Sequence, residues 1–171
     1  MCFVGNEKAF SAGFDLSVMN SGSVDDVLKL VARGGELIFR LYLHPQPTVC
    51  AVTGHALAAG ALLVLACDTR IAQDKPSKIG LNETAIGMTL PQWAVELATA
   101  RLSKRWVTQA LIQAQVFDPS GALAAGYVDA VSADAIGDAV AEARRLGGLP
   151  AAAYAGTKNL LRREVAARAF A

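Results

Sequence analysis

Residues 48–74 constrain the fold more than any other part of this 171-residue chain. Thr-Val-Cys-Ala-Val-Thr-Gly (48–54) is β-branched and closed by glycine. Ala-Leu-Ala-Ala-Gly-Ala-Leu-Leu-Val-Leu-Ala-Cys (56–67) then runs on without a charge. Neither piece has a polar face to offer water, so both belong in an interior: a buried strand, then an apolar helix from about His55 to Cys67. Thr-Arg-Ile-Ala-Gln-Asp (69–74) reads as a further strand. The apolar run is too short to span a bilayer.

Around this centre, strand and helix signals alternate, which makes the class α/β. Residues 1–5 (MCFVG) read as a short strand and 6–20 as a loop rich in small residues. Val24, Val27, Leu28, Val31, Leu37, Ile38 and Leu41 recur at helical spacing, predicting a long helix with a possible kink at Gly34-Gly35. His-Pro-Gln-Pro (44–47) ends it, because a residue before proline is pushed out of the helical region. Residues 75–78 (KPSK) read as a turn. Pro91 begins a helix to about Arg101, and Ser103 is placed to cap a second one to about Gln113. Asp118 and Pro119 open a short helix, 127–132 is strand-like, and helices follow over about 133–147 and 150–170. No internal repeat is visible.

Composition narrows the function. With 53% hydrophobic residues, 18% charged and a formal net charge of +1, the chain has a real core and no electrostatic case for nucleic acid or an anionic membrane surface. Cys2, Cys50 and Cys67 have no metal-like spacing, and two of them sit in apolar runs, as small buried hydrophobes in a reducing compartment would. Met-Cys-Phe-Val-Gly-Asn-Glu-Lys lacks the apolar stretch of a signal peptide, so the cytoplasm is the expected location. Nucleotide-binding glycine motifs, G-x-S-x-G and H-E-x-x-H are absent. His44 reads as a helix-end residue, and nothing in the spacing of Ser11, Asp15 and His55 supports a nucleophilic triad.

Three features can carry chemistry, each with an ordinary alternative. In Phe-Ser-Ala-Gly-Phe-Asp (10–15), Gly13 allows a ligand close to the backbone, or simply a tight turn with Asp15 as a cap. In residues 54–68, small side chains at a helix start leave N–H groups reachable by a ligand oxygen, or serve only tight packing. Glu83, in Lys-Ile-Gly-Leu-Asn-Glu-Thr-Ala-Ile-Gly-Met (78–88), has no cation within its glycine bracket. It is either a capping or salt-bridging residue on a surface turn, or a carboxylate whose pKa is raised by an apolar shell. Two amides converging on one carbonyl oxygen beside such a base would suit proton removal next to a carbonyl.

The stretches AFSAGFDL (9–16), PTVCAVTGHALAAGALLVLACDTRIA (47–72) and IGLNETAIGMTLP (79–91), with FDPSGALAAGYVDAV (117–131), resemble the crotonase (enoyl-CoA hydratase/isomerase) superfamily over nearly the whole chain. The resemblance implies part of a crotonase-like ββα spiral core over 1–132, its N-terminal portion missing, with part of a C-terminal helical region over 133–171. It implies oxyanion-hole amides at Phe14 and Ala59, contacts to coenzyme A from Ala12, Asp15, Leu16 and Ser17, and Glu83 as the catalytic carboxylate. Leu62 stands where hydratases of the family carry their first glutamate, and Phe14 and Ser17 replace a usual alanine and a frequent lysine. With Leu62 unable to orient water, and with Trp93 following the IGLNET segment, the similarity is greatest to Δ3,Δ2-enoyl-CoA isomerases; Leu62 and Trp93 then line the acyl pocket.

What the resemblance implies is therefore an isomerase that uses its acyl-CoA substrate without a cofactor or metal, as in fatty-acid metabolism. Hydration, another crotonase-type reaction, or an inactive fragment or non-catalytic subunit are the alternatives. Family members begin with strands and a helix ahead of the AGFD loop and continue past the last helix here. The expectation is thus a chain truncated at both ends, with Val4 short of strand neighbours, and a homotrimer or hexamer at full length.

Overall fold

The computed structural model describes residues 1–171, apart from the side chain of Ser21. Seven strands form two wholly parallel sheets. The first takes β1 (Cys2–Val4), β3 (Val49–Val52), β5 (Thr69–Gln73) and β7 (Ala130–Ser132) in that order. The second takes β2 (Ala9–Ser11), β4 (His55–Leu57) and β6 (Ile79–Gly80). Register is continuous across the first sheet, with Phe3 opposite Cys50 and Cys50 opposite Arg70. All four β3 residues are buried, as expected of a strand covered on both faces.

Three times a strand of the first sheet is followed by a strand of the second and then by a helix, whereas β7 leads straight into a helix. β1 and β2 lead to α1 (Leu16–Ser21) and α2 (Val24–Tyr42); β3 and β4 lead to α3 (Ala59–Ala66); β5 and β6 lead to a 3₁₀ turn and α4 (Gln92–Arg101). This repeat is invisible in the sequence because the second strands are only two or three residues long. It also corrects two expectations. The stretch 6–20 holds β2 and α1 rather than loop alone, and His55–Leu57 is a strand, so the helix begins at Ala59. Three-residue strands carry too little pattern to be read, and tertiary pairing makes them.

The remaining elements follow the reading more closely. The helix expected from Ser103 is a five-residue π turn, Thr108–Ile112, because the Ser103 carbonyl accepts from the Trp106 amide in a turn rather than starting a helix. α5 (Pro119–Ala125) is capped by Asp118, whose side chain accepts from the Gly121 amide at 2.7 Å. α6 (Ala135–Gly147) and α7 (Ala151–Ala169) complete the chain. α2 runs without interruption through Gly34 and Gly35, both buried. β1 pairs only with β3 among the described residues, and Val4 is exposed. Among the described residues no helix is long and apolar enough to cross a membrane.

One buried carboxylate fastens α7 to the sheet. Asp68, between α3 and β5, lies 2.7 Å from Lys158 Nζ and 2.8 Å from Arg162 Nη1, and accepts from the Tyr154 hydroxyl at 2.7 Å and the Thr48 amide at 2.9 Å. Lys158 also donates to the carbonyls of His44 and Gln46, and Arg162 to that of Tyr42, so one cluster ties α7 to the end of α2. Burial alone would raise the Asp68 pKa. The donors from Lys158, Tyr154 and Thr48, with the Arg162 charge, outweigh it and hold the carboxyl below its ordinary 3.8.

A depressed folded-state pKa means that Asp68 contributes stability above pH 3.8, which is lost as the pH falls through the lower folded value. Asp68→Ala leaves two buried cations uncompensated and is expected to cost about 3–5 kcal/mol in urea unfolding at pH 7. The difference from the parent narrows as the pH falls below 3.8. An unchanged midpoint at pH 7 would show that the cluster holds nothing.

Candidate active site

A cleft of about 480 Å³ opens where the ends of β2, β4 and β6 meet. Ala12 and Phe14 enter from the turn after β2 and Leu16 from the start of α1; Leu57, Ala58, Ala59 and Leu62 from β4 and α3; Asn82, Glu83, Ile86 and Met88 from the arm after β6. Met19, Leu28 and Val31 come from α1 and α2, and Thr89, Pro91 and Trp93 close the ring. The lining is overwhelmingly apolar, and Glu83 is its one ionisable side chain among the described residues.

Backbone contacts bring these segments together. A Cβ on Gly13 would lie 3.4 Å from the Ala59 nitrogen, and the φ of +101° there suits only glycine. A Cβ on Gly60 would fall 2.2 Å from the Ser11 carbonyl oxygen, so the start of α3 seats directly on the end of β2. The Ala58 amide donates to the Gly80 carbonyl at 3.1 Å and ties α3 to the strand that carries the Glu83 arm. Ala58 itself has φ 53° and ψ −128°, a conformation that costs an alanine about 1–3 kcal/mol and persists only where the surroundings impose it.

This arrangement leaves two amides unused. Ala59 is the first residue of α3, so its N–H has no acceptor within the helix. Among the described residues neither it nor the Phe14 N–H meets an acceptor, and both residues line the cleft. They sit on either side of the Gly13–Ala59 contact.

Glu83 is not the surface residue of the ordinary alternative. It is 9% exposed, it makes no side-chain capping bond, and its Oε2 is buried without a partner. Burial pushes its carboxyl above the ordinary 4.5, with backbone hydrogen bonds at Glu83 and Asn82 acting the other way. The arm is rigid for its length. Buried Ile79 and Leu81 anchor its start, Ile79 and Phe117 exchange two backbone bonds, the Met88 amide closes onto the Glu83 carbonyl at 2.9 Å, and Thr84 Oγ1 donates to the Leu111 carbonyl at 3.0 Å.

Of the residues singled out in the sequence, Ala12, Phe14, Leu16, Ala59, Leu62, Glu83 and Trp93 meet in this one cleft. Asp15 and Ser17 are not among its lining. The Asp15 carboxylate caps α1, accepting from the Ser17 amide at 2.8 Å and from its hydroxyl at 2.6 Å. Ser11, Asp15 and His55 form no triad: Ser11 Oγ accepts from the Gly13 amide and His55 Nδ1 from the Lys78 amide. Sequence reading missed Met19, Leu28 and Val31, whose apolar side chains face the cleft from α1 and α2. It also missed Asn82, whose Oδ1 is buried without a partner next to Glu83. The signal was present in Leu28 and Val31, three apart on an amphipathic helix, but the face they share had no known neighbour.

Glu83→Gln removes a carboxylate that the fold holds in an unfavourable ionised state. Because its folded pKa is raised, ionised Glu83 opposes folding above its ordinary 4.5, and the penalty is complete once the pH passes the folded value. The glutamine variant is expected to unfold at a higher urea concentration than the parent at pH 7. That advantage shrinks toward zero as the pH drops below 4.5. A variant less stable at pH 7 would mean that the carboxylate is better satisfied than its buried, partnerless oxygen indicates.

Known proteins resemble this chain over most of its length. A family model for enoyl-CoA hydratase/isomerase matches residues 2–170. The mitochondrial enoyl-CoA delta isomerase 1 of Mus musculus is 36% identical over 123 residues, which is 71% of this chain and 43% of that protein. A putative enoyl-CoA hydratase of Thermus thermophilus is 33% identical over 146 residues, 83% of this chain and 56% of that protein. The chain therefore spans about half the length of the curated relatives it matches. Among solved structures, an enoyl-CoA hydratase/isomerase family protein from Pseudomonas syringae superposes with a TM-score of 0.88 at 42% identity, covering 91% of this chain and 68% of that one. The human mitochondrial delta3-delta2-enoyl-CoA isomerase superposes with a TM-score of 0.90 at 32% identity, covering 95% and 64%.

Proposed function

The chain belongs to the enoyl-CoA hydratase/isomerase family, and from that premise we propose that its cleft shifts the double bond of a 3-enoyl-CoA to the 2-position. The thioester carbonyl oxygen accepts from the amides of Phe14 and Ala59. Glu83 takes a proton from C2, and the electron pair moves onto the carbonyl to give an enolate, which the two donors stabilise more strongly than the neutral thioester. The pair then returns through the double bond as the same carboxyl delivers the proton at C4. Atoms and charge balance within the substrate and Glu83, so the cycle consumes no water and no cofactor.

The observation that carries this reading is a single buried carboxylate, one oxygen of which has no partner, in an otherwise apolar cleft. A raised pKa makes Glu83 a stronger base toward a carbon acid, and the proton it takes from C2 is the one it returns at C4. The matched relatives are named both isomerases and hydratases. Hydration asks for a second polar group to orient water, and Leu62, 1% exposed and apolar, stands in the lining where the family resemblance puts that group.

Incubation with trans-3-enoyl-CoA is expected to yield the conjugated 2-enoyl thioester, followed by its ultraviolet absorbance. Glu83→Gln, which preserves shape and removes the base, lowers kcat by about 10²–10⁴-fold. Offered 2-enoyl-CoA, the parent gives 3-hydroxyacyl-CoA far more slowly than it isomerises. Hydration at a comparable rate, or isomerisation that survives the glutamine substitution, would overturn the proposal.

A further inference from the structure

α2 changes character halfway along. Leu28 and Val31, on its first half, line the cleft, whereas Ile38, Phe39 and Tyr42, on its second half, belong to the closed core. Between them stand Gly34 and Gly35, buried in the middle of a nineteen-residue helix. Each glycine costs such a helix about 1 kcal/mol relative to alanine, so something must require the missing side chains. A Cβ on Gly34 would lie 2.3 Å from the Phe14 ring, and one on Gly35 would lie 2.9 Å from the Trp93 indole. Phe14 and Trp93 line the cleft themselves. Two aromatic side chains, one from the turn after β2 and one from α4, thus close onto bare helix backbone at the point where cleft gives way to core.

We infer that Phe14 and Trp93, seated on Gly34 and Gly35, form the floor of the acyl pocket and set the chain length of the substrate. The inference rests on one part of the reading above, that an acyl thioester occupies the cleft. Phe14 then has two separate duties: its amide addresses the thioester oxygen, and its ring ends the space available to the tail. The size of that space follows from volume. An apolar cavity of about 150 Å³ takes up one benzene. A cleft of about 480 Å³ that must also seat the thioester has room for a tail on the order of ten carbons. The preferred substrates are short- and medium-chain acyl-CoAs. Long chains meet the ring of Phe14.

Two substitutions act in opposite directions. Phe14→Ala removes the floor and keeps the backbone N–H. Gly34→Ala puts a methyl group where the ring now rests and drives the ring toward the cleft. Combined, the new methyl occupies part of the space the ring leaves, which protects the fold if Phe14→Ala alone loosens it. Isomerisation of trans-3-hexenoyl-, decenoyl- and tetradecenoyl-CoA gives kcat/KM for each length. Calorimetric titration with the saturated acyl-CoAs gives the same ranking without turnover.

The parent is expected to favour hexenoyl and decenoyl over tetradecenoyl by about tenfold or more. Phe14→Ala shifts that ratio toward the long chain by about tenfold, Gly34→Ala shifts it further toward the short, and the double variant lies between them. A parent indifferent to length, or a ranking that neither substitution moves while isomerisation persists, overturns the floor and leaves the proton shuttle standing. A protein that ranks acyl-CoAs in this way by binding, responds to both substitutions and fails to isomerise refutes the shuttle and supports the floor. A parent that binds no acyl-CoA of any length overturns both.

Discussion

The close approach of the turn after β2 to the first residues of α3 is the contact on which the rest of the site depends. Gly13 lies against Ala58 and Ala59 with a φ of +101° that excludes a side chain, and Gly60 lies against the Ser11 carbonyl, closer than a Cβ could approach without displacement. Side chains of ordinary size at either point would push the two segments apart and separate the amides of Phe14 and Ala59. The contact is enforced at a cost, since Ala58 is held in a backbone conformation that favours glycine. Strain of this kind is tolerated where neighbouring elements leave no alternative, and here the Gly80 carbonyl accepts from the Ala58 amide while α3 packs against the core below.

Two buried carboxylates show opposite solutions to one electrostatic problem. Asp68 is surrounded by donors and cations, so its charge is stabilised and its energy goes into fastening α7. Glu83 is buried as well, but among the described residues no cation lines its cleft, and one of its oxygens has no partner. Desolvation therefore dominates at Glu83 and is outweighed at Asp68. A protein seldom leaves a carboxylate in the second condition for the sake of stability. That imbalance, more than the identity of the residue, is what makes Glu83 the candidate base of the proposed proton transfer.

Much of this was legible in the residues. The long amphipathic pattern of α2, the apolar run of β3 and α3, the Asp118 cap and the final two helices follow from local signals strong enough to survive any context. The small-residue stretches around Gly13 and 58–60 pointed to backbone access, and the uncompensated Glu83 pointed to a base. What failed did so for lack of length or lack of a partner. β2, β4 and β6 are too short to show alternation, and the Ser103 segment carries a capping residue whose carbonyl is used in a turn instead. Gly34-Gly35 looked like a break in a helix, because a missing side chain reads the same whether it marks flexibility or a seat for another residue.

The sequence by itself determined the alternation of strands and helices and the buried centre of the chain, and its resemblance to a known family singled out a set of candidate site residues. The first two come from hydrophobic period, turn chemistry and residue type, which act over a few neighbours. Only the tertiary structure decided that seven of those residues share one cleft, that Glu83 is dry, and that two aromatics rest on the glycines of α2. Each of these depends on which distant backbone lies within a few ångströms. That information resides in how two parallel sheets and their helices stack, and no local stretch of the chain carries it.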